Sequence, residues 1–279
     1  GGKAVTVFHM ENVHLWDGVT DPYLYSIAAS LPDGDAVAVH FGCRKIDFKP
    51  DTGFWLNGRN VRLVGAARHQ DRAGLGNALT AAEHEEDMQI LRDMGANTVR
   101  LAHYQHAQYF YDLCDKYGLV AWAEIPYITE HMPEATANTL SQMEELVLQN
   151  YNHPSIICWG LSNEITVTTG VTENLTANHR LLNDLCHRLD ATRPTTMAHA
   201  FMLDPNDPFV QLPDICSYNL YYGWYLGELQ QNDEFFDTFH KNHPDRVIGL
   251  SEFGADANPS YQSARPERGD WSESYQAVY

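Results

Sequence analysis

Over most of the chain, short apolar runs alternate with longer segments in which apolar residues recur at helical spacing. The apolar runs predict seven strands, at 61–67, 96–102, 119–125, 155–161, 195–200, 214–219 and 247–252. Helical spacing is found at 142–150 and 175–189. Thr80, with Glu83 three residues later, predicts a helix start, and Gly95 predicts the end of that helix. Strands that alternate with helices in this way indicate a parallel sheet covered by helices.

Two arrangements of such a sheet remain open. A doubly wound open sheet usually carries a Gly-rich phosphate turn after its first strand, and none follows the first run here. A (β/α)8 barrel of roughly 250 residues fits the spacing better. The segment 271–279, WSESYQAVY, starts what looks like the helix after the seventh strand. We therefore predict an α/β protein with a TIM barrel that is incomplete at its C-terminus and lacks its last strand.

The residues before the barrel have a different pattern. Pieces with high strand propensity, at 4–13, 23–30 and 36–43, alternate with turn clusters such as TDP and PDGD, which is typical of an antiparallel sandwich. These strands are too few to close a sandwich. We therefore expect residues 1–51 to be the C-terminal part of a β-sandwich domain, and residues 52–279 to be the truncated barrel domain.

Composition narrows the classes of function. With 279 residues, 44% of them hydrophobic, the chain can bury a sizeable core. A net charge of −19, from 37 acidic and 18 basic residues, repels phosphate backbones and anionic lipids, so neither nucleic acid nor a membrane is an expected partner. No uncharged apolar stretch approaches the roughly 18 residues of a transmembrane helix. Residues 1–20 lack the basic start and apolar middle of a signal peptide, although the native N-terminus is expected to be missing.

The cysteines indicate a reducing compartment. They are five in number, far apart, and form no CxxC pair; they stand at 43, 114, 158, 186 and 216. Free buried thiols are the expected state, with a disulfide framework or a zinc site as the alternatives. We accordingly expect a cytoplasmic location.

The ends of the predicted strands carry the candidate chemistry, because active sites of such barrels lie at the C-terminal ends of the strands. The fourth run ends in Asn163 and Glu164, and the seventh ends in Glu252. Retaining glycoside hydrolysis needs one carboxylic acid that protonates the leaving oxygen and one carboxylate that attacks the anomeric carbon, about 5–5.5 Å apart. Asn163 would suit a hydrogen bond to the sugar 2-hydroxyl. The pair therefore predicts a retaining glycoside hydrolase.

Several motifs resemble glycoside hydrolase family 2, the group of β-galactosidases, β-glucuronidases and β-mannosidases. They are CWGLSNE, SEFG, RLAHY, YNHPSI and NLYYGWY. WDGVTDPYLY and FGCRKIDF resemble the end of the immunoglobulin-like domain that precedes the family's barrel, and GFWLNGRNVRLVGAARHQD resembles the barrel's entry. The resemblance covers almost the whole chain and implies that residues 1–51 are immunoglobulin-like.

The resemblance implies catalytic roles for individual residues. Glu164, in SNE, matches the acid/base, and Glu252, in SEFG, matches the nucleophile. Tyr221 matches the tyrosine that hydrogen-bonds the nucleophile. Arg100 matches the arginine that orients the nucleophile and keeps it ionised, whereas the acid/base must start protonated.

The same resemblance implies a sugar subsite. His69, in RHQD, and His103, in RLAHY, match histidines that line it. Trp224 is a candidate platform for stacking against the sugar, with an aromatic core position as its alternative. Glu124 ends the third run, but no partner is evident in the sequence around it, and it has no assigned role.

Within the family, WDGVTDPYLY, RHQDRAGLGNAL and ARPERGDWSESYQ look most like compact bacterial β-galactosidases. The negative charge mildly disfavours an anionic substrate. We therefore predict release of terminal β-D-galactose from β-galactosides. The alternatives are a β-glucuronidase, whose carboxylate-reading Asn-x-Lys segment would lie beyond residue 279, a β-mannosidase, and a non-catalytic carbohydrate-binding fragment.

The chain departs from the long β-galactosidases at two places. Glu130 and His131 are adjacent, without the spacer of the Glu-x-His that contributes to those enzymes' magnesium site. No cofactor is therefore expected, with a divalent cation such as magnesium as the alternative. Ala255 stands where those enzymes carry a histidine. Besides the carbohydrate substrate, the expected partner is a second copy of the full-length protein in a homo-oligomer.

Overall fold

The computed structural model describes residues 5–279. Its N-terminal part contains two small antiparallel sheets. Strands β1 (Tyr25–Ser30) and β2 (Ala36–Phe41) form a hairpin. Strands β3 (Ile46–Lys49), β4 (Gly53–Leu56) and β5 (Arg59–Asn60) form a three-stranded sheet.

A curled parallel sheet of seven strands forms the main body. Its strands are β6 (Gly65–Arg68), β7 (Thr98–Leu101), β8 (Val120–Glu124), β9 (Ile156–Asn163), β10 (Thr195–Ala200), β11 (Ile215–Asn219) and β12 (Val247–Glu252). Each strand pairs with the next one along the chain, and within the described residues β6 and β12 are the two edges. The predicted incomplete TIM barrel is therefore confirmed.

Helices cover the outside of this sheet. They are α1 (Ala81–Asp93), α2 (Gln108–Tyr117), α3 (Thr136–Asn150), α4 (Glu173–Leu189), α5 (Gln231–Asn242) and α6 (Glu273–Val278). The capping box predicted at the start of α1 is present, with the backbone N–H of Thr80 donating to Oε2 of Glu83 at 2.7 Å. Helices α2 and α5 were not anticipated from the sequence. No helix among residues 5–279 is long and apolar enough to cross a bilayer.

Strand β9 shows why the strand ends carry polar groups. All eight of its residues are buried, and Trp159 in its middle is fully covered by the main core. The indole N–H of Trp159 donates to Asp190 at 3.1 Å, so even this polar atom is satisfied. Burial of a large side chain contributes about 1.5–3 kcal/mol, and this fixes the strand along its length. Asn163 and the residue after it are thereby held at a defined place at the end of the sheet.

The N-terminal segment closes the opposite end of the barrel. Trp16 is fully buried against Phe54 and Leu56 of the three-stranded sheet. The same cluster contains residues at the starts of the barrel strands, namely Val120, Ile157 and Ile215. Nη2 of Arg44 donates to the carbonyl of Ile156 at 2.7 Å. This packing leaves the C-terminal ends of the strands as the free end of the barrel.

The N-terminal predictions hold in part. The segments 23–30 and 36–43 contain β1 and β2, but residues 5–13 form no strand, and Val7 is 91% exposed. Strand propensity needs a partner strand, and the described residues supply none there; residue 4 lies outside the described residues. The boundary at 51/52 falls in the turn between β3 and β4, which pair with each other, and the division into domains stays a prediction.

The first barrel strand is shorter than predicted, and it begins at Gly65 rather than at residue 61. The backbone N–H of Val61 donates to Phe54 at 2.9 Å, which places this end of the predicted run on the three-stranded sheet. The five cysteines are free thiols in the structure, as expected, and four of them are buried.

Candidate active site

The two predicted catalytic carboxylates lie at the same end of the sheet. Glu252 is the last residue of β12, and Glu164 directly follows β9. In the pairing of β11 with β12, Glu252 stands opposite Asn219. The Nδ2 atom of Asn219 donates to Oε1 of Glu164 at 3.1 Å. Asn219 thus pairs with Glu252 through the backbone of the sheet and contacts Glu164 through its side-chain amide.

Glu252 receives hydrogen bonds on both of its oxygens. Arg100 donates from Nη1 to Oε1 at 2.7 Å, and the hydroxyl of Tyr221 donates to Oε2 at 2.7 Å. Nε2 of His103 lies 3.5 Å from Oε1. Burial and the Glu252 carboxylate raise the pKa of Tyr221 above its ordinary value, so this hydroxyl keeps its proton and remains a donor. The carboxylate is held in one orientation from two sides.

Arg100 is the centre of the site and is 6% exposed. Besides Glu252, it contacts Glu124 with two hydrogen bonds, at 3.0 and 3.2 Å, and donates to Oδ1 of Asn163 at 2.8 Å. Burial opposes the charge of Arg100, but the carboxylates of Glu124 and Glu252 more than offset it and raise its pKa. Two carboxylates therefore share one guanidinium.

Glu124 compensates the charge of Arg100 through a buried ion pair. It is 1% exposed, and Nδ1 of His103 lies 3.0 Å from its Oε1. Burial would raise the pKa of Glu124, but Arg100 and His103 hold it below its usual value. Glu124 is thus an ionised, fully paired group in the floor of the site. Its place at the end of β8 follows the strand-end rule, but its partners come from β7 and from the loop after it.

Glu164 has an unusual backbone conformation. Its φ of +45° is in the left-handed region, which is uncommon for a residue other than glycine and costs of the order of 1 kcal/mol. The backbone N–H of Glu164 donates to the carbonyl of Ala198 at 2.8 Å, which holds it there. Such conformations persist where the surrounding structure enforces them, and they cluster at functional sites.

The amide of Asn163 has a defined orientation. Its Oδ1 accepts from Arg100 at 2.8 Å and from Nδ2 of Asn219 at 3.2 Å. Because two donors converge on the oxygen, the NH2 group is the part of the amide that remains for a ligand. This orientation suits a donor to a hydroxyl of a bound sugar.

The two predicted subsite histidines are neighbours. The rings of His69 and His103 are in a T-shaped contact, with centroids 5.0 Å apart, and His69 is exposed. Burial, then the nearby His103, lowers the pKa of His69, which favours a neutral ring that can donate or accept a hydrogen bond. The structure thus places both histidines at the mouth beside Glu252.

A cluster behind these histidines was not found from the sequence. Arg68, at the end of β6, is buried and donates to Asp87 of α1 at 2.6 and 3.0 Å. Its other donors contact ring nitrogens of His84 and His106, at 3.0 and 2.9 Å. The cluster joins the end of β6 to α1 and to the loop after β7. Only the polar residue at the strand end was a signal in the sequence.

Trp224 lies beside the hydrogen-bonded groups of the site, in an apolar cluster against which Tyr221 packs. It is 6% exposed and packs against Ala255 and Tyr275. Its ring also contacts that of Trp271, with centroids 5.3 Å apart. A ring covered in this way offers little face to a sugar, and its stacking role stays a prediction.

The adjacent pair Glu130 and His131 does not resemble a magnesium site. The hydroxyl of Tyr127 contacts Nδ1 of His131, and Oδ1 of Asn174 lies 2.5 Å from Nε2, so both ring nitrogens have partners. Across residues 5–279, no group of three histidine, cysteine, aspartate or glutamate side chains is placed to hold a metal ion.

A parallel barrel sheet with carboxylates at the ends of its fourth and seventh strands is an arrangement that suits a glycosidase. Residues 49–279 match the family described as glycosyl hydrolases family 2, TIM barrel domain. The chain therefore belongs to glycoside hydrolase family 2.

Three relatives show how the chain compares with known proteins. It is 40% identical to a β-glucuronidase of Bacteroides fragilis over 97% of the chain and 40% of that protein. It is 35% identical to a β-galactosidase of Thermoanaerobacterium thermosulfurigenes, over 69% of the chain and 27% of that protein. The crystal structure of an FMN-binding β-glucuronidase from Facaelibacterium prausnitzii L2-6 matches with a TM-score of 0.92 and 42% identity, over 96% of the chain and 42% of that structure. The chain thus spans less than half the length of these relatives.

Proposed function

We propose that the protein hydrolyses β-glycosides with retention of configuration, with Glu252 as the nucleophile and Glu164 as the acid/base. The observation that carries this proposal is the difference between the two carboxylates. Glu252 is held by a guanidinium and a hydroxyl, which suits an anion that attacks carbon. Glu164 contacts an uncharged amide, which is compatible with gain and loss of a proton.

The reaction proceeds in two displacements. In the first, the O–H bond of Glu164 breaks and its proton passes to the glycosidic oxygen. The electron pair of the breaking C1–O bond stays on that oxygen, while a lone pair of Glu252 forms a new bond to C1. In the second, water gives a proton to Glu164, its oxygen bonds to C1, and Glu252 leaves as a carboxylate.

The remaining polar groups bind and orient the sugar. The NH2 group of Asn163 donates to the 2-hydroxyl, a hydrogen bond that strengthens in the transition state. His69 and His103 contact hydroxyls at the mouth. Arg100 and Tyr221 hold the carboxylate of Glu252 in position to attack C1. A nucleophile held in this geometry lowers the entropic part of the activation barrier.

For the sugar, we propose a β-glucuronide as the first candidate and a β-galactoside as the second. The 40% identical relative and the structurally similar protein named above are both β-glucuronidases. The β-galactosidase is 35% identical over a smaller part of the chain, and the WDGVTDPYLY and RHQDRAGLGNAL segments support that reading. The net charge of −19 is spread over the whole chain and is a weaker guide to one pocket than the relatives are.

Hydrolysis of 4-nitrophenyl β-glucuronide, β-galactoside and β-mannoside tests both parts of the proposal. We expect turnover of the glucuronide to be the fastest. Glu252→Gln is expected to lower it at least about a thousandfold, because removal of one member of a catalytic unit removes most of its rate. Glu144→Gln, on the exposed side of α3, is the matched control and is expected to leave turnover unchanged.

Faster turnover of the galactoside than of the glucuronide would identify the β-galactoside as the preferred substrate. Sugar binding without turnover of any of the three glycosides would support the non-catalytic alternative and contradict the proposed mechanism.

A further inference from the structure

Asn219 is a buried residue of the site for which the family-like motifs suggested no role. It ends β11, and its side chain is fully inaccessible to solvent. Its Nδ2 donates to Oε1 of Glu164 at 3.1 Å and to Oδ1 of Asn163 at 3.2 Å. Its Oδ1 accepts from the hydroxyl of Ser251 at 2.7 Å. The three contacts are thus to Glu164 itself, to its neighbour Asn163, and to Ser251, the neighbour of Glu252.

These contacts fix which way the amide points. An amide nitrogen carries two hydrogens, so both donor bonds form at once. If the amide were reversed, its oxygen would face Oδ1 of Asn163 and a carboxylate oxygen of Glu164, which are both acceptors. That arrangement would leave buried acceptors opposed, at a cost of about 1–3 kcal/mol for each unsatisfied group. In the observed orientation, by contrast, both N–H groups of Asn219 face acceptors, and its oxygen accepts from the hydroxyl of Ser251.

We propose, on the basis of the function proposed above, that Asn219 is a positioning residue for the proton transfer by Glu164. Its N–H occupies Oε1 of Glu164, so the proton that reaches the glycosidic oxygen is carried on Oε2. Asn219 is the one side-chain hydrogen-bond partner of Glu164 within residues 5–279. The same amide also donates to Oδ1 of Asn163, but Arg100 donates to that oxygen at a shorter distance, 2.8 Å, so Asn163 keeps its orientation without Asn219 and the loss falls on the acid.

The dependence of kcat/KM on the leaving group distinguishes this role from general support of the fold. A 2,4-dinitrophenyl glycoside needs little protonation as its bond breaks, whereas a phenyl glycoside depends on the acid. kcat/KM reports the first displacement, in which Glu164 acts as the acid. A positioning defect therefore slows the phenyl substrate selectively, and a folding defect lowers both rates by the same factor.

The experiment compares Asn219→Ala with Asn150→Ala on both substrates. Asn150 is also fully buried, but lies at the end of α3 and contacts the carbonyl of Leu146 and the amide of Gln108. For Asn219→Ala we expect kcat/KM to fall about tenfold or more with the phenyl glycoside and less than about threefold with the dinitrophenyl glycoside, within the 10²–10⁴ that general acid catalysis contributes. For Asn150→Ala we expect equal changes on the two substrates.

Asn219→Asp keeps the size of the side chain but puts a carboxylate oxygen in place of the NH2 donor. This variant replaces Asn219→Ala in the comparison if the alanine variant does not fold. Equal losses on both substrates in a folded Asn219 variant would overturn the positioning role while leaving the proposed function intact. A wild-type protein that hydrolyses neither glycoside would refute the proposed function, and the role of Asn219 with it.

Discussion

At the scale of single residues, the site depends on the close packing of charged groups around Arg100. Two carboxylates share its guanidinium, and this needs Glu124 to be buried within hydrogen-bonding distance of Arg100. Gly160 of β9 makes the room. A Cβ atom there would lie 2.5 Å from Cβ of Glu124 and 2.5 Å from Nε1 of Trp122, and neither is the free end of a flexible chain. Gly160 therefore determines where Glu124 and Arg100 can be.

Gly160→Ala is expected to displace Glu124 and lower both stability and turnover. Overpacking of a core typically costs about 1–3 kcal/mol, and a shift of Arg100 would also misdirect Glu252. Thermal unfolding and kcat measure the two effects. Gly249→Ala is the comparison, since its Cβ would have one close contact, with the Oγ of Ser217 at 2.9 Å, and its next contact would be at an ordinary 3.7 Å, so we expect a smaller loss. Equal effects of the two substitutions would contradict the account of Glu124.

The sequence predicts which residues reach the site better than it predicts what they touch. The strand-end rule for Glu164 and Glu252, and the family resemblance for Arg100 and Tyr221, predict that these residues lie at one end of the barrel, and the structure agrees. Glu124 had no assigned role because its partners are 24 and 21 residues away in the chain. Contacts between different strands depend on distances in space that a one-dimensional pattern does not contain.

At the scale of elements, the loops that carry His69 and His103 are anchored from behind. Arg68 joins the end of β6 to α1 through Asp87, and Arg72 donates to the same carboxylate at 2.8 Å. The backbone N–H of Ala107 donates to Oε1 of Gln70 at 2.7 Å, which joins the loops after β6 and β7. The two histidines therefore lie on connections that are fixed to the helical layer.

Asp87→Ala is expected to lower the free energy of unfolding by about 3 kcal/mol, because it removes the carboxylate from a largely buried ion pair. Asp93→Ala on the same helix is the control, since Asp93 is exposed and its carboxylate accepts a hydrogen bond from the neutral side chain of Gln89. Urea unfolding of both variants gives the comparison. Similar small losses for the two would show that Arg68 does not need its partner.

The elements themselves were predicted best where burial is complete. Strand β9 is apolar on both faces, so its run of hydrophobic residues is unmistakable. Helix α2, with the sequence QYFYDLCDKY, is rich in aromatic residues that favour strands, but its buried residues recur at helical spacing and Gly118 follows it in the left-handed conformation, so the sequence did contain a signal for this helix. Residues 5–13 show the converse, since strand-prone residues without a partner strand remain irregular.

At the scale of the whole molecule, the structure keeps three histidines buried and neutral. Burial is the main cause in each case, and it lowers the pKa of His106 to about 3, of His179 to about 4 and of His199 to about 3. In the unfolded chain these rings have an ordinary pKa of about 6.5. Below that pH the unfolded chain binds protons that the folded protein does not.

The free energy of unfolding is therefore expected to be greatest above about pH 6.5 and to decrease as the pH falls from there towards 4. Each buried histidine contributes up to about 1.4 kcal/mol per pH unit in this range. Urea unfolding between pH 7.5 and pH 5 measures the slope. The His199→Gln variant should show a shallower dependence of the free energy of unfolding on pH. His240 is exposed in the last turn of α5, and His240→Gln should leave this dependence unchanged. A free energy that does not change with pH above 5 would contradict the burial of these rings as neutral groups.

The central claim is that Glu252 forms a covalent bond to the sugar. Incubation of the protein with an activated 2-deoxy-2-fluoro-β-glycoside of the preferred sugar, followed by peptide mass spectrometry, tests it most directly, because the fluorine slows the second displacement and the intermediate accumulates. We expect one sugar per chain, attached to Glu252, and none on Glu252→Gln. Attachment to Glu124, Glu164 or any other residue in the wild-type protein would contradict the assignment.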